Sequence, residues 1–234
     1  MMRAAFAIVA LLWASSASAQ LLLPTPELRT ERDCPVCPEV VILPDGAEIS
    51  RAPVTLAEFR VFVEDTGYQN DGWGCKWNFP GFEQGADHPV VCVTFEGAQA
   101  YAAWLSQKAG VPYRLPTADE LTYAVTANTA TNYWWGQQIG RDRANCFGCG
   151  RSLDEEGTTP VGLYPANPFN LLDAVGNVWI WTTDCLDTGC EERVLLSGGW
   201  SSPPSDLRMT KRISNATNVP FNTYGVRVMR EARE

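Results

Sequence analysis

The sequence predicts a mixed, loop-rich, exported domain, and three observations carry that expectation. Glycines stand beside large side chains in Gly176-Asn177-Val178-Trp179-Ile180-Trp181, in Ser197-Gly198-Gly199-Trp200 and in Tyr224-Gly225-Val226-Arg227. That pattern suits tightly wound loops, where the backbone turns left-handed or another chain passes close by, better than a helical bundle. Nine Trp, 19 Gly and 16 Pro indicate many turns around aromatic packing, and each ring buries enough area to stabilise a core with few long elements. Eight cysteines, an even number, follow a leader with the features of an export signal.

That leader is Met1 to Ala19: an early Arg3, an apolar run from Ala4 to Trp13, and the small residues Ala17-Ser18-Ala19. The run is too short to span about 30 Å of hydrocarbon, so the composite reads as a signal peptide cleaved after Ala19 rather than a membrane anchor. No later run of about 18 apolar residues follows, so a periplasmic or secreted protein without a membrane span is expected. Residues 20–39 read as a polar, proline-bearing arm and 40–230 as one domain, since about 215 residues suit one core better than two. With 27 acidic against 18 basic residues, the electrostatic footprint of a nucleic-acid binder is absent.

The elements follow in order. Val40-Val41-Ile42-Leu43, closed by Pro44-Asp45-Gly46, reads as a strand and a turn. Thr55-Leu56-Ala57-Glu58 is a capping box, with Phe59, Phe62 and Val63 on one helical face and Gly67 as the stop. Trp73, Trp77, Phe79 and Phe82 lie among glycines between Asn70 and Gln84, a loop whose aromatics either cover the core or line a ligand surface. Asp87-His88-Pro89-Val90-Val91 is expected to open a strand. His88 is the only histidine; with no Gly-x-Ser-x-Gly element to supply a nucleophile, it reads as structural. From Thr94 a helix runs to Gly110, with Ala98, Tyr101, Ala102 and Leu105 on one stripe, and Thr117-Ala118-Asp119-Glu120 caps a third helix that continues to about Ala127.

The cysteines are Cys34, Cys37, Cys75, Cys92, Cys146, Cys149, Cys185 and Cys190. In an oxidising compartment disulfides are the default, with short loops such as Cys146 with Cys149 and Cys185 with Cys190 plausible among the many pairings. Zinc held by Cys34-x-x-Cys37 and Cys146-x-x-Cys149 is the sharper alternative, but more than a hundred residues separate the pairs; a redox pair is the other, but neither lies in a βαβ pattern.

The glycine–tryptophan pieces, taken with Tyr113-Arg114-Leu115-Pro116-Thr117-Ala118-Asp119-Glu120-Leu121-Thr122-Tyr123-Ala124 and Pro53-Val54-Thr55-Leu56-Ala57-Glu58-Phe59, resemble the sulfatase-modifying-factor family of formylglycine-generating enzymes. Its hallmarks are G-N-x-W-E-W, G-G-S-W and G-F-R. The resemblance runs from about Val40 to Met229. It implies an α+β, loop-rich fold related to the C-type-lectin fold, low in regular secondary structure and in many members bound to calcium. Carried over, one calcium set would be Asp173, Gly176 and Val178 with the glutamate position that is Ile180 here; a second would be Asn145, Cys146 and Asp154. Calcium takes six to eight oxygens and favours carboxylates, so Ile180 is expected to weaken the first set severely. The run Leu153-Asp154-Glu155-Glu156 reads equally well as a solvated loop.

The resemblance also implies where chemistry would lie. Family members hold Cu(I) with two cysteines just after G-G-S-W and oxidise a substrate cysteine to formylglycine. Here the segment is Trp200-Ser201-Ser202-Pro203-Pro204-Ser205-Asp206-Leu207-Arg208, without a cysteine. Hydroxyls are hard, weak ligands that do not replace a thiolate pair for a soft ion, so copper is disfavoured and calcium is the candidate cofactor. Ile180 for Glu, Val226 for Phe and Ser197 for the usual Arg depart from the pattern together. The favoured reading is a non-catalytic binding or accessory domain for a peptide, glycan or partner protein, with Trp200, Ser202, Ser205, Arg208 and Arg212 on its binding loop. The alternative is an oxidoreductase acting on a cysteine or related group of a protein substrate.

Overall fold

The computed structural model describes residues 28–69, 74–150 and 156–232. The proposed signal peptide, Trp73 and Asp154 lie outside the described residues.

Among the described residues, two small sheets and three α-helices are joined by many turns. Strands β1 (Thr30–Glu31), β2 (Val40–Ile42), β3 (Glu48–Ser50), β4 (Tyr113–Arg114) and β9 (Met229–Arg230) form one sheet in the order β1-β2-β3-β9-β4. Residues 30–31, in the segment read as an arm, are its edge strand, with Thr30 opposite Val41. Strands β5 (Trp179–Cys185), β6 (Glu192–Leu196), β7 (Arg212–Ala216) and β8 (Tyr224–Gly225) form the second, in the order β7-β6-β5-β8, with β8 parallel to β5.

Helices α1 (Leu56–Thr66), α2 (Phe95–Ala109) and α3 (Ala118–Thr126) start where the sequence places them, because their caps are local chemistry. The Thr55 hydroxyl accepts the Glu58 amide while the Glu58 carboxylate accepts the Thr55 amide, and Thr117 with Glu120 repeats the exchange. Each box satisfies amides that a helix start leaves without partners. Gly67 and Gly110 end α1 and α2 in the left-handed conformation, which glycine adopts without a steric cost. Phe59, Phe62, Ala98, Tyr101, Ala102 and Leu105 are buried as their spacing predicts.

The segment Asp87 to Val91 is not a strand. Its only ladder contact is an isolated bridge between Thr55 and Pro89. Around it, backbone bonds go to loops: Val90 N–H to Val54 O at 2.9 Å, Cys92 N–H to Phe221 O at 3.0 Å. The run is apolar because it is buried, and burial without a flanking strand looks the same in sequence as a sheet core.

All eight cysteines form disulfides within the described residues: Cys34–Cys37, Cys75–Cys92, Cys146–Cys149 and Cys185–Cys190. Three bind within local loops, and Cys75–Cys92 pins the aromatic loop before α2 to the core. No helix among the described residues is long and apolar enough to cross a membrane.

Candidate functional site

Strand β5 sorts the hallmark residues to two sides, because successive side chains of a strand point oppositely. Trp179 and Trp181 join the cluster around Phe95, Tyr101 and Leu105, whereas Val178 and Ile180 join the other, with Leu171, Leu196 and Leu207. Ile180 is fully buried among alkyl groups. A carboxylate there would be desolvated, so the alkyl side chain suits the position as it stands.

Asn177, left without a role by sequence reasoning, is the hub of this region. Its backbone is left-handed at φ 66°, which asparagine tolerates better than most residues. The side-chain oxygen accepts the Thr159 amide at 3.0 Å and the Asn145 amide nitrogen at 3.1 Å, and its nitrogen donates to Thr159 O at 3.0 Å. One amide thus mimics a strand partner for the 157–159 loop and binds it to residues 145 and 173. Gly176 N–H donates to Ser197 O at 2.7 Å with φ 82°, and a Cβ there would meet Asn145 O at 2.7 Å. At Gly225 it would meet Val178 Cγ2 at 2.9 Å, so close approach explains that glycine.

Of the groups expected to hold calcium, the Asp173 carboxylate and the carbonyls of Gly176, Asn145 and Cys146 accept hydrogen bonds from within the protein. The Asp173 carboxylate accepts Gly162 N–H at 2.8 Å and faces the Asn177 nitrogen at 3.4 Å. Buried Arg227 lies beside it, donating to the carbonyls of Ser50, Leu172 and Asp173. The Gly176 carbonyl accepts Val178 N–H, and the carbonyls of Asn145 and Cys146 accept Asn177 N–H and Cys149 N–H. N–H donors and a guanidinium around a carboxylate are opposite in sign to the surroundings a cation takes. The surroundings of Asp173 do not fit calcium. No group of three or more His, Cys, Asp or Glu side chains is placed to hold a metal among the described residues.

Burial pushes the Asp173 carboxyl up to about 6, against the opposing pull of Gly162 N–H, Arg227 and Asn177. A folded-state value above the unfolded one means that folding takes up a proton. The contribution is therefore fully present below the unfolded value of 3.8 and is lost as pH rises through about 6, a span worth about 3 kcal/mol. Urea unfolding of the wild type and Asp173→Asn from acid to neutral pH should show wild-type stability falling relative to the variant between those values. Parallel curves would show that Asp173 titrates alike in the folded and unfolded states.

The segment after Gly199 has a buried part and an exposed part. Ser202, expected on a binding loop, is instead an internal anchor: its hydroxyl accepts the Trp179 indole N–H and the Gly199 amide, both at 3.0 Å. Trp200 is half-buried, donates to Asn222 O at 2.8 Å and meets Phe82 edge to face at 5.4 Å. Asn222 donates in turn to Pro80 O. Beside this contact opens a cleft of ≈ 440 Å³ lined by Arg60, Trp77, Asn78, Phe82 and Glu83. Ser205 and Arg208 are exposed, and Arg212 pairs with Asp119 at 2.8 Å on the surface. The structure thus brings Trp200 together with the aromatic loop, ties Ser202 to Trp179 and Gly199, and leaves Arg212 on strand β7. His88 Nδ1 lies 3.0 Å from the Thr158 hydroxyl, a loop tie.

The model of the sulfatase-modifying factor enzyme 1-like domain matches residues 20–232. The chain belongs to this sulfatase-modifying-factor family. Among family relatives, the formylglycine-generating enzyme of Mycobacterium tuberculosis is 44% identical over 166 residues, covering 63% of this chain and 49% of that protein. The mouse protein named inactive C-alpha-formylglycine-generating enzyme 2 is 26% identical over 241 residues, covering 81% of this chain and 76% of that one. The solved structure of PvdO from Pseudomonas aeruginosa superimposes with a TM-score of 0.77 at 27% identity, covering 87% of this chain and 98% of that chain. Two of the curated relatives are much longer than their match: this chain spans 31% of one and 49% of the other. The sulfatase-modifying-factor fold accounts for the loop-rich α+β architecture, with short strands held by side-chain hubs such as Asn177.

Proposed function

We propose that this sulfatase-modifying-factor domain is an exported, non-catalytic binding or accessory protein that takes a peptide, glycan or partner protein on the loop face around Trp200 and Phe82. One observation carries the reading. Where the resemblance would put a thiol pair, the chain has Ser202, whose oxygen is already occupied by two protein donors. A buried hydroxyl in that state neither holds a soft metal ion nor meets a substrate. The cysteines nearest in sequence, Cys185 and Cys190, are bonded to each other across the β5–β6 turn. Four disulfides and the small residues before Gln20 support export, since such bonds persist in oxidising compartments.

The test is incubation of the purified protein with a sulfatase-type cysteine peptide, copper and a thiol reductant, followed by mass spectrometry. No aldehyde is expected, and alkylation of the denatured, unreduced protein should add no mass. Product formed with turnover, and lost in Cys185→Ala or Cys190→Ala, would overturn the non-catalytic reading.

A further inference from the structure

We propose that the loops 132–149 and 202–211 form a docking surface for an acidic polypeptide segment that also carries aromatic or aliphatic side chains. The proposal rests on the reading of the chain as a binding domain and names the partner's chemistry.

These loops are one surface by their bonds. Tyr133 OH donates to Pro204 O at 2.7 Å, Met209 N–H to Asn132 O at 3.1 Å, Phe147 N–H to Ser202 O at 3.0 Å and Asp142 N–H to Cys149 O at 2.8 Å. The Cys146–Cys149 disulfide closes the loop that carries Phe147, so the surface is ordered before a partner arrives and costs less to engage.

Its charge is opposite to that of the whole chain. The protein carries a formal charge of −9, and several of its other arginines are spent on carboxylates: Arg51 on Glu39, Arg114 on Glu120 and Glu231, Arg230 on three acids. Arg141, Arg143 and Arg208 are exposed and make no ion pair among the described residues. The acids on the same loops are Asp142 and Asp206, the latter 4.0 Å from Lys211; Arg212 beyond them is held by Asp119. Three guanidiniums with no carboxylate partner among the described residues, each a planar fork that matches a carboxylate, present donors in excess of acceptors. A neutral sugar, which needs both, fits this less well than an acidic chain.

The apolar part favours a peptide over a bare polyanion. Phe147 is 61% exposed at the tip of the disulfide loop. Trp134 and Trp135 are half-exposed and meet at right angles, 5.2 Å apart, and Tyr133 stacks on Trp135 at 5.2 Å. Arg208 lies against the Tyr133 phenol. Aromatic rings beside guanidiniums give a peptide both a place for its side chains and fixed charges for its acids.

The test uses the full mature chain and a short fluorescent peptide alternating Glu with Phe, measured by anisotropy. Controls are the same peptide with Lys for Glu, an all-Glu peptide and phosphatidylglycerol vesicles. Binding of the Glu/Phe peptide is expected to weaken about tenfold or more between low and physiological salt, because exposed charges are screened over about 8–10 Å. A variant combining Arg141→Ala, Arg143→Ala and Arg208→Ala, all surface changes, should weaken it about tenfold or more at low salt. Phe147→Ala should weaken the Glu/Phe peptide more than the all-Glu one. The combined Arg→Glu variant should bind the Lys peptide instead, which separates loss of charge from loss of fold. Equal affinity for the Lys peptide, tighter binding to vesicles, or binding unchanged in the triple variant would overturn the proposal. Aldehyde formation in the preceding assay would overturn only the non-catalytic reading.

Discussion

Arg230→Ala is expected to destabilise the domain by about 3–5 kcal/mol, the cost of removing one partner from a buried charge cluster. The Arg230 side chain is 1% exposed, and its guanidinium meets Asp33 at 2.6 Å, Glu31 at 2.8 Å and Glu48 through Nε. Tyr113 OH donates to the same Asp33 carboxylate at 2.8 Å. These groups come from β1, the turn after it, β3, β4 and β9, so one side chain joins most of the first sheet. Alanine would take the buried guanidinium away from Asp33 and Glu48, while Glu31 keeps Arg29 at 2.6 Å. Arg230→Met should cost about as much, because methionine fills the volume and likewise removes the guanidinium that these carboxylates share. Arg230→Lys should cost less, since an ammonium keeps the charge while losing the planar fork. Urea unfolding reads all three. A loss below about 1 kcal/mol for alanine would show that the cluster is solvated and acts as an ordinary surface network.

Trp181→Ala should cost about 3–5 kcal/mol through the cavity alone, and more because a buried carbonyl loses its donor. Trp181 is fully buried, donates its indole N–H to Val93 O at 3.0 Å, and meets Phe95 and Tyr224 edge to face at 6.0 and 5.4 Å. It therefore ties β5 to the segment before α2 and to β8. Trp181→Phe separates the two contributions, keeping most of the ring volume and removing the N–H. Urea titration reads both variants; alanine and phenylalanine variants of equal stability would mean that packing contributes nothing beyond the hydrogen bond.

How much was legible depended on the range of the interactions involved. Capping boxes at Thr55 and Thr117 and the stops at Gly67 and Gly110 act within four residues, and the helices begin and end where those signals stand. Most strands are two to five residues long, too short for alternation to show. One of the two partners of β3 is β9, at the far end of the chain. Of the candidate binding residues, Arg208 and Ser205 lie on the exposed surface as expected, but Ser202 does not. A serine in a loop reads as solvated, and only the folded chain reveals that Trp179 and Gly199 both donate to it.

By itself the sequence determined the family, the three helices, the supply of cysteines for closed local loops and the absence of a thiol pair after Trp200, because each depends on residue identity at short or fixed spacing. Tertiary structure decided that Asp173 sits beside the Arg227 guanidinium and accepts the Gly162 N–H, and that the loops 132–149 and 202–211 are hydrogen-bonded to each other. It also gathered Glu31, Asp33 and Glu48 on Arg230, 182 to 199 residues away in sequence. The reason is physical: caps and turns are closed by neighbouring backbone, whereas the charge and hydrogen-bond partners of a buried side chain are set by which distant loops the core brings beside it.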